Sequence, residues 1–283
     1  MDAREFLGLV PGEAPEQWQL PIVKGLTTRG GFLFGGVALG AALSALEQSS
    51  GRAAVWASAQ YLSYAQPGET LTIDVETFVA GHQVTQAQAV CRAAGRTILT
   101  VNAALGHRPM DVEGQWERMP DVPAPADCPP RLRPDGGDGH LDAFFDQRLV
   151  KARAWDELTG ERGDGQAIMW SRIGPLSAGF DAASLAILGD FVPMGVGQAL
   201  GTLTSGNSLD NSLRICRLVP TEWVLLDIRV HAVARGFGHG LVHMFAEDGT
   251  LLATASQSCI VRNWTATNVG SRPSRGLTPK ETS

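Results

Sequence analysis

The chain has 283 residues, 44% hydrophobic and 18% charged, an ordinary globular balance that allows one large domain or two of modest size. A net charge of −6 argues against a general nucleic-acid or polyphosphate binder. No run of about 18 apolar residues suggests a membrane span, and the N-terminus MDAREFLGLVPGE lacks the apolar core of a signal peptide.

The first periodic segment is GGFLFGGVALGAALSALEQSSG. Val37, Leu39, Ala41, Ala42, Ala45 and Leu46 give it a helical spread that starts at Gly35-Gly36 and stops near Gly51. It is apolar nearly all round, which predicts burial on most sides. Four β segments follow, at about 53–65, 69–80, 83–94 and 96–107, with Pro67-Gly68, Gly81-His82 and Gly95-Arg96 as turns. One buried helix followed by a run of antiparallel strands is an α+β pattern. Residues 109–140 are rich in Pro, Asp and Gly and read as a linker between a unit over 1–108 and a second over 141–264. In the second unit a strand at 166–173 precedes a helix at about 180–192. Strands at about 203–218, 222–234, 237–246 and 250–263 follow. The polar tail, 265–283, is expected to be disordered.

The two units repeat one another. Pro67-Gly68-Glu69 falls on Pro220-Thr221-Glu222 at a shift of 153, and Gly95 falls on Gly249 at a shift of 154. Those shifts lay Gln257 on Ala103 and Asp210 on Ala57. Gln257 stands on the apolar face of the strand LLATASQSCIV, read from Leu251 by alternation. A buried amide or carboxylate left unpaired costs about 1–3 kcal/mol. Asp210 and Gln257 could together hold one water.

Other polar residues have plainer readings. Asp190 ends the second helix and has a functional reading, but a carboxylate near a helix end is more often structural. His231 lies in phase with Asp227 and Arg229, as on a solvated strand face. His239 and His243 would sit about 13 Å apart on a strand, too far for one metal. DGGDGHLD at 135–142 fails calcium-loop spacing, and RGGFLFGG lacks the Lys-Ser/Thr of a phosphate-binding loop. No cofactor or metal is expected. The four cysteines (Cys91, Cys128, Cys216, Cys259) show no pairing pattern, so free thiols in a cytoplasmic protein are expected.

The chain resembles the double-hotdog acyl-CoA thioesterases, the bacterial type II enzymes and their relatives. The resemblance rests on LFGGVALGAAL at 33–43, VETFVAGHQVTQAQAV at 75–90, MWSRI at 169–173 and LDNSLRI at 209–215. EWVLLDIRVHAVARGFGHGLVH at 222–243 and DGTLLATASQSCIVRN at 248–263 complete it. It implies two tandem hotdog units, each a long central helix wrapped by an antiparallel sheet, in one continuous body. It places the family's Asp on Asp210, with Asn211 for the His of an Asp-His-Ser context. It places the family's Gln on Gln257, with Ser258-Cys259 for Glu-Gly. The third member, a Ser or Thr, falls on His231 counted from Glu222-Trp223, or on Arg229 counted back from Ala234-Arg235-Gly236.

A thiol leaves readily, so a thioester needs mainly an aimed water and a stabilised oxyanion. Under this resemblance Asp210 takes the water's proton, Gln257 fixes its second hydrogen bond and His231 orients the network. Backbone N–H groups at Gly35-Gly36, or in the Gly179–Asp181 region, hold the oxyanion and so bind substrate. The expected partner is an acyl-CoA substrate, and sheet-edge pairing predicts a homo-oligomer. A catalytically weak acyl-thioester binding module is the alternative function. An enoyl-CoA hydratase ranks last because no helix-borne Asp/His pair is evident.

Overall fold

The computed structural model describes residues 1–132, 139–176 and 179–263. The first half holds α1 (Ala3–Leu7), β1 (Val10–Pro11), β2 (Gln17–Pro21), α2 (Gly35–Ser50), β3 (Ala54–Tyr61), β4 (Thr70–Ala80), β5 (Val84–Ala93) and β6 (Arg96–Gly106). The second holds β7 (Phe145–Lys151), β8 (Gln166–Ile173), α3 (Ala182–Leu188), α4 (Val192–Leu200), β9 (Thr204–Ile215), β10 (Val224–Ala234), β11 (Phe237–Ala246) and β12 (Leu251–Asn263). Among the described residues all strands join one 12-stranded antiparallel sheet in the order β1-β2-β4-β5-β6-β3-β9-β12-β11-β10-β8-β7. The units meet at β3 and β9, where Ser58 pairs with Ser212 and their hydroxyls lie 2.8 Å apart. The sheet wraps α2 in one half and α3 and α4 in the other, the double hotdog that the family resemblance implies.

The register shows how closely one half copies the other. Ala57 pairs with Ala103 on β3 and β6, while Asn211 pairs with Gln257 on β9 and β12. Both pairs obey the 154-residue separation seen between Ser58 and Ser212. The copying extends to β-bulges, since Val55 is the extra residue on β3 and Leu209 the extra residue on β9. Phe78 and His231 are the matching extra residues on β4 and β10, one position earlier in the repeat.

The central helices fill the concave side. Gly36 through Leu46 of α2 are buried, as an all-apolar helix requires. By length and composition Ala182–Leu200 is apolar enough to cross a membrane, but most of it is buried in the protein's own core. The expected helix at 180–192 is instead two helices with a break at Gly189-Asp190-Phe191. Pro193 causes the break, because it has no N–H to give the Gly189 carbonyl one turn back and its ring crowds that carbonyl.

The segment expected to be a linker is packed where it is described. Met119, Val122 and Cys128 cover Trp170, Trp223, Leu225 and Phe245 on the outer face of the second unit. Trp170 Nε1 donates to the Pro123 carbonyl at 2.9 Å. A small second core thus forms where part of a free tether was expected. Pro130 bridges to Arg148, so the same segment covers the outer edge of β7. At the opposite end β1 has two residues, one of them Pro11. Both edges are blunted, which disfavours pairing with another sheet edge. The tail at 265–283 and residues 135–138 of the 135–142 pattern lie outside the described residues.

Candidate active site

The helix break aims one carboxylate into the protein. Asp190 is 6% exposed, and its two oxygens take three hydrogen bonds. Oδ2 accepts from the Gly36 backbone N–H at 2.7 Å. Oδ1 accepts from Ser208 Oγ at 3.1 Å and from Gln257 Nε2. Gln257 Nε2 also donates to Ser208 Oγ at 2.6 Å, closing a buried Asp190–Ser208–Gln257 cluster. Burial pushes the Asp190 carboxyl up to about 6, while the bonds from Gln257, Gly36 and Ser208 pull it back.

Each group sits there for a local reason. Phe34 caps α2 without a side-chain hydrogen bond, so the first N–H groups of a 16-residue helix need partners elsewhere. Asp190 from the other unit supplies one, a carboxylate at the positive end of the helix. The approach requires glycine, since a Cβ on Gly35 would lie 2.7 Å from Asp190 Oδ2 and one on Gly36 would lie 2.8 Å from the Ala186 carbonyl oxygen. Tyr61 closes the same corner, its hydroxyl donating to the Gly35 carbonyl at 3.0 Å. Burial and the Asp190 charge hold its phenol well above the ordinary range.

The structure brings Gln257 to this cluster and leaves Asp210 outside it. The bulge at Leu209 is the reason. Asn211 and Leu213 face the core, so Asp210 and Ser212 face outward, and strict alternation would send Ser208 outward too. The extra residue reverses the phase and turns Ser208 inward. Asp210 instead accepts from the Ser258 backbone N–H at 2.8 Å on the outer face, where it lines an open depression with Ser58, Gln60, Asn102 and His239. His231 is the bulged, exposed residue of β10, separated from β12 by β11. It does not meet Gln257. Gly36 is at the cluster, but its N–H is engaged by Asp190 rather than facing a ligand. At the other expected N–H site, Asp181 caps α3 through Ser184, with its carboxylate accepting from Ser184 N at 2.8 Å.

Sequence reasoning missed Ser208 and ranked the structural reading of Asp190 above the functional one. A uniform shift of 154 would have laid Asp190 on Gly36 and Ser208 on Ala54, the same contrast of polar against small that singled out Gln257.

Family models describe two stretches of this chain. Residues 24–106 match the acyl-CoA thioesterase N-terminal domain and residues 125–261 the acyl-CoA thioesterase C-terminal domain. The chain belongs to the acyl-CoA thioesterase family. Among solved structures it is similar to a protein assigned as a thioesterase from Novosphingobium aromaticivorans. That match has 30% identity and a TM-score of 0.79, covering 89% of this chain and 98% of that one. It is also similar to a hot dog fold protein of unknown function from Alicyclobacillus acidocaldarius, at 20% identity and TM-score 0.80, over 93% and 98% of the two chains. The acyl-CoA thioesterase II TesB2 of Mycobacterium marinum shares the fold at 19% identity and TM-score 0.72, over 93% and 99%. No curated protein matches the sequence.

Proposed function

We propose that this thioesterase-family chain hydrolyses an acyl-CoA thioester to the free acid and CoA, with Asp190 as the general base. The observation that carries the proposal is the buried carboxylate pinned by Gly36, Ser208 and Gln257 at a helix break. A base held in one orientation needs no reorganisation as charge develops. Its raised proton affinity, with a midpoint of about 6, lets it take a proton near neutral pH far better than an ordinary carboxylate.

Water oxygen bonds to the thioester carbonyl carbon while one of its protons passes to Asp190. The C–S bond then breaks, the electron pair leaves on sulfur, and the thiolate takes up a proton. Ser208 and Gln257 keep the carboxylate aimed. Asp210 and His231 take no part in this scheme, because the fold points them away from the cluster. The pinned base favours hydrolysis over a passive acyl-thioester binding role. Hydrolysis of this kind belongs to acyl-lipid metabolism, and four free cysteines support a reducing, cytoplasmic setting.

The test is thiol release from acyl-CoAs of short, long and aryl type by the parent and by Asp190→Asn. Release by the parent and a loss of about 10²-fold or more in the variant are expected. Equal turnover by both would remove Asp190 from the chemistry.

A further inference from the structure

Two buried oxygens beside Asp190 accept no hydrogen bond from the described residues. One is Gln257 Oε1 and the other is Asn211 Oδ1. Asn211 is fully buried and Gln257 is 3% exposed. The residues are register partners on adjacent strands and face the same side of the sheet. Both amides have their orientation fixed by what the nitrogen does. Gln257 Nε2 is committed to Asp190 and Ser208. Asn211 Nδ2 points to the Gly189 carbonyl, at a long 3.5 Å. That carbonyl lacks its helical partner because Pro193 stands four residues on. Turning either amide over would set an oxygen against an oxygen or remove a donor from the carboxylate. The two free acceptors are therefore built into the site, and an unpaired buried acceptor is unfavourable unless a donor meets it.

A small donor with two hydrogens suits two neighbouring carbonyl-type acceptors, and water is that donor. We propose that Asn211 and Gln257 hold the hydrolytic water between β9 and β12, with Asn211 as a positioning residue that Asp190, Ser208 and Gln257 alone do not replace. The inference rests on the hydrolytic reading above. The water donates to Gln257 Oε1 and Asn211 Oδ1, which leaves its lone pairs free for the thioester carbon. On attack the hydrogen resting on Asn211 Oδ1 turns to Asp190, which stands at the other end of the Gln257 amide, and passes to that carboxylate as the C–O bond forms, while Gln257 Oε1 keeps the second hydrogen. The first unit carries Ala57 and Ala103 at the equivalent register pair and so has no such cradle.

The experiment pairs kinetics with crystallography. Asn211→Leu keeps the side-chain size and removes the acceptor, and Asn211→Ala repeats the test should the leucine variant fail to fold. A kcat loss of roughly tenfold to a hundredfold is expected, with KM changed less than about threefold. Asn211→Asp keeps an acceptor oxygen and should recover part of the rate. It also sets a second carboxylate near Asp190, so the acid limb of its pH profile should move to higher pH, which a merely structural residue would not cause. A high-resolution crystal structure of the parent should show a water within hydrogen-bond distance of both oxygens. Parental kcat in Asn211→Leu or Asn211→Ala, or two oxygens bonded to protein groups with no water between them, overturns the proposal. Should the parent release no thiol from any acyl-CoA, the hydrolytic reading fails. The crystallographic water then decides the cradle alone, which stands if the water is present and falls if it is absent.

Discussion

The two halves of this molecule share a register down to their β-bulges, yet they differ at each residue of the buried polar cluster. Where the second unit has Asp190, Ser208, Asn211 and Gln257, the first has Gly36, Ala54, Ala57 and Ala103. The first unit's central helix runs unbroken for 16 residues, whereas the second's breaks at Gly189-Asp190-Phe191. The break frees a carboxylate to turn inward, and the unbroken helix offers its N–H end to that carboxylate. Each half therefore supplies what the other lacks. One polar site per chain is a consequence of packing as much as of side-chain identity. An Asp at position 36 could not be accommodated, because its Cβ would lie 2.8 Å from the backbone of Ala186 and Ile187.

The strongest way to break this asymmetry is Asp190→Asn. Turnover should fall by about 10²–10⁴-fold, as for loss of a general base. Stability should move the other way. The folded protein holds the Asp190 proton up to about pH 6, while the unfolded chain releases it near pH 3.8. Between those values the folded state binds more protons, so the parent loses stability as pH rises through the window. The penalty is complete above it, on the order of 3 kcal/mol. Denaturant titrations of parent and variant should coincide below pH 4 and separate in favour of the variant above pH 6. Separation in the opposite direction would mean that the carboxylate is stabilised by its three donors more than it is penalised by burial.

The same carboxylate predicts an acid limb. The kcat/KM of the parent should fall tenfold per pH unit below an apparent pKa of about 6, since only the ionised form takes a proton. Replacing one orienting donor is a smaller change. Ser208→Ala removes a single bond to Oδ1, and a loss of about tenfold in kcat is expected, with KM nearly unchanged. An unaltered rate would assign the orientation of Asp190 to Gln257 and Gly36 alone.

Much of the architecture was legible because the signals were local. An all-apolar run between Gly35 and Gly51 has to be a buried helix, and turns such as Pro67-Gly68 bound the strands. Gln257 was legible as a polar residue out of place on an apolar face. Ser208 was hidden by one inserted residue, because alternation assumes a regular strand and the bulge at Leu209 resets the phase. Asp190 was hidden by its setting, since a helix-end carboxylate looks like a cap until the third dimension shows it facing a second helix. Asp210 drew attention through the family resemblance and through a repeat shift of 153, one short of the 154 that the strand register keeps. The packed part of the linker was illegible because Pro-rich sequence carries no period from which burial could be read.

The smallest expected effect comes from trying to rebuild the site in the first half. Ala103 is 1% exposed and lies between Ala57 and Ala87 across the strand pairs, a patch of small side chains against which α2 packs. Ala103→Gln places an amide where the fold offers no carboxylate, so its polar atoms go unpaired at about 1–3 kcal/mol, with crowding of similar size. Thermal unfolding should shift down by several degrees while thioester turnover stays at the parental level. Undiminished stability would show that the first unit still has room for a polar group. A second hydrolytic site would then be blocked only by the missing carboxylate, and the asymmetry would lie in Gly36 against Asp190 rather than in the alanine-lined strands.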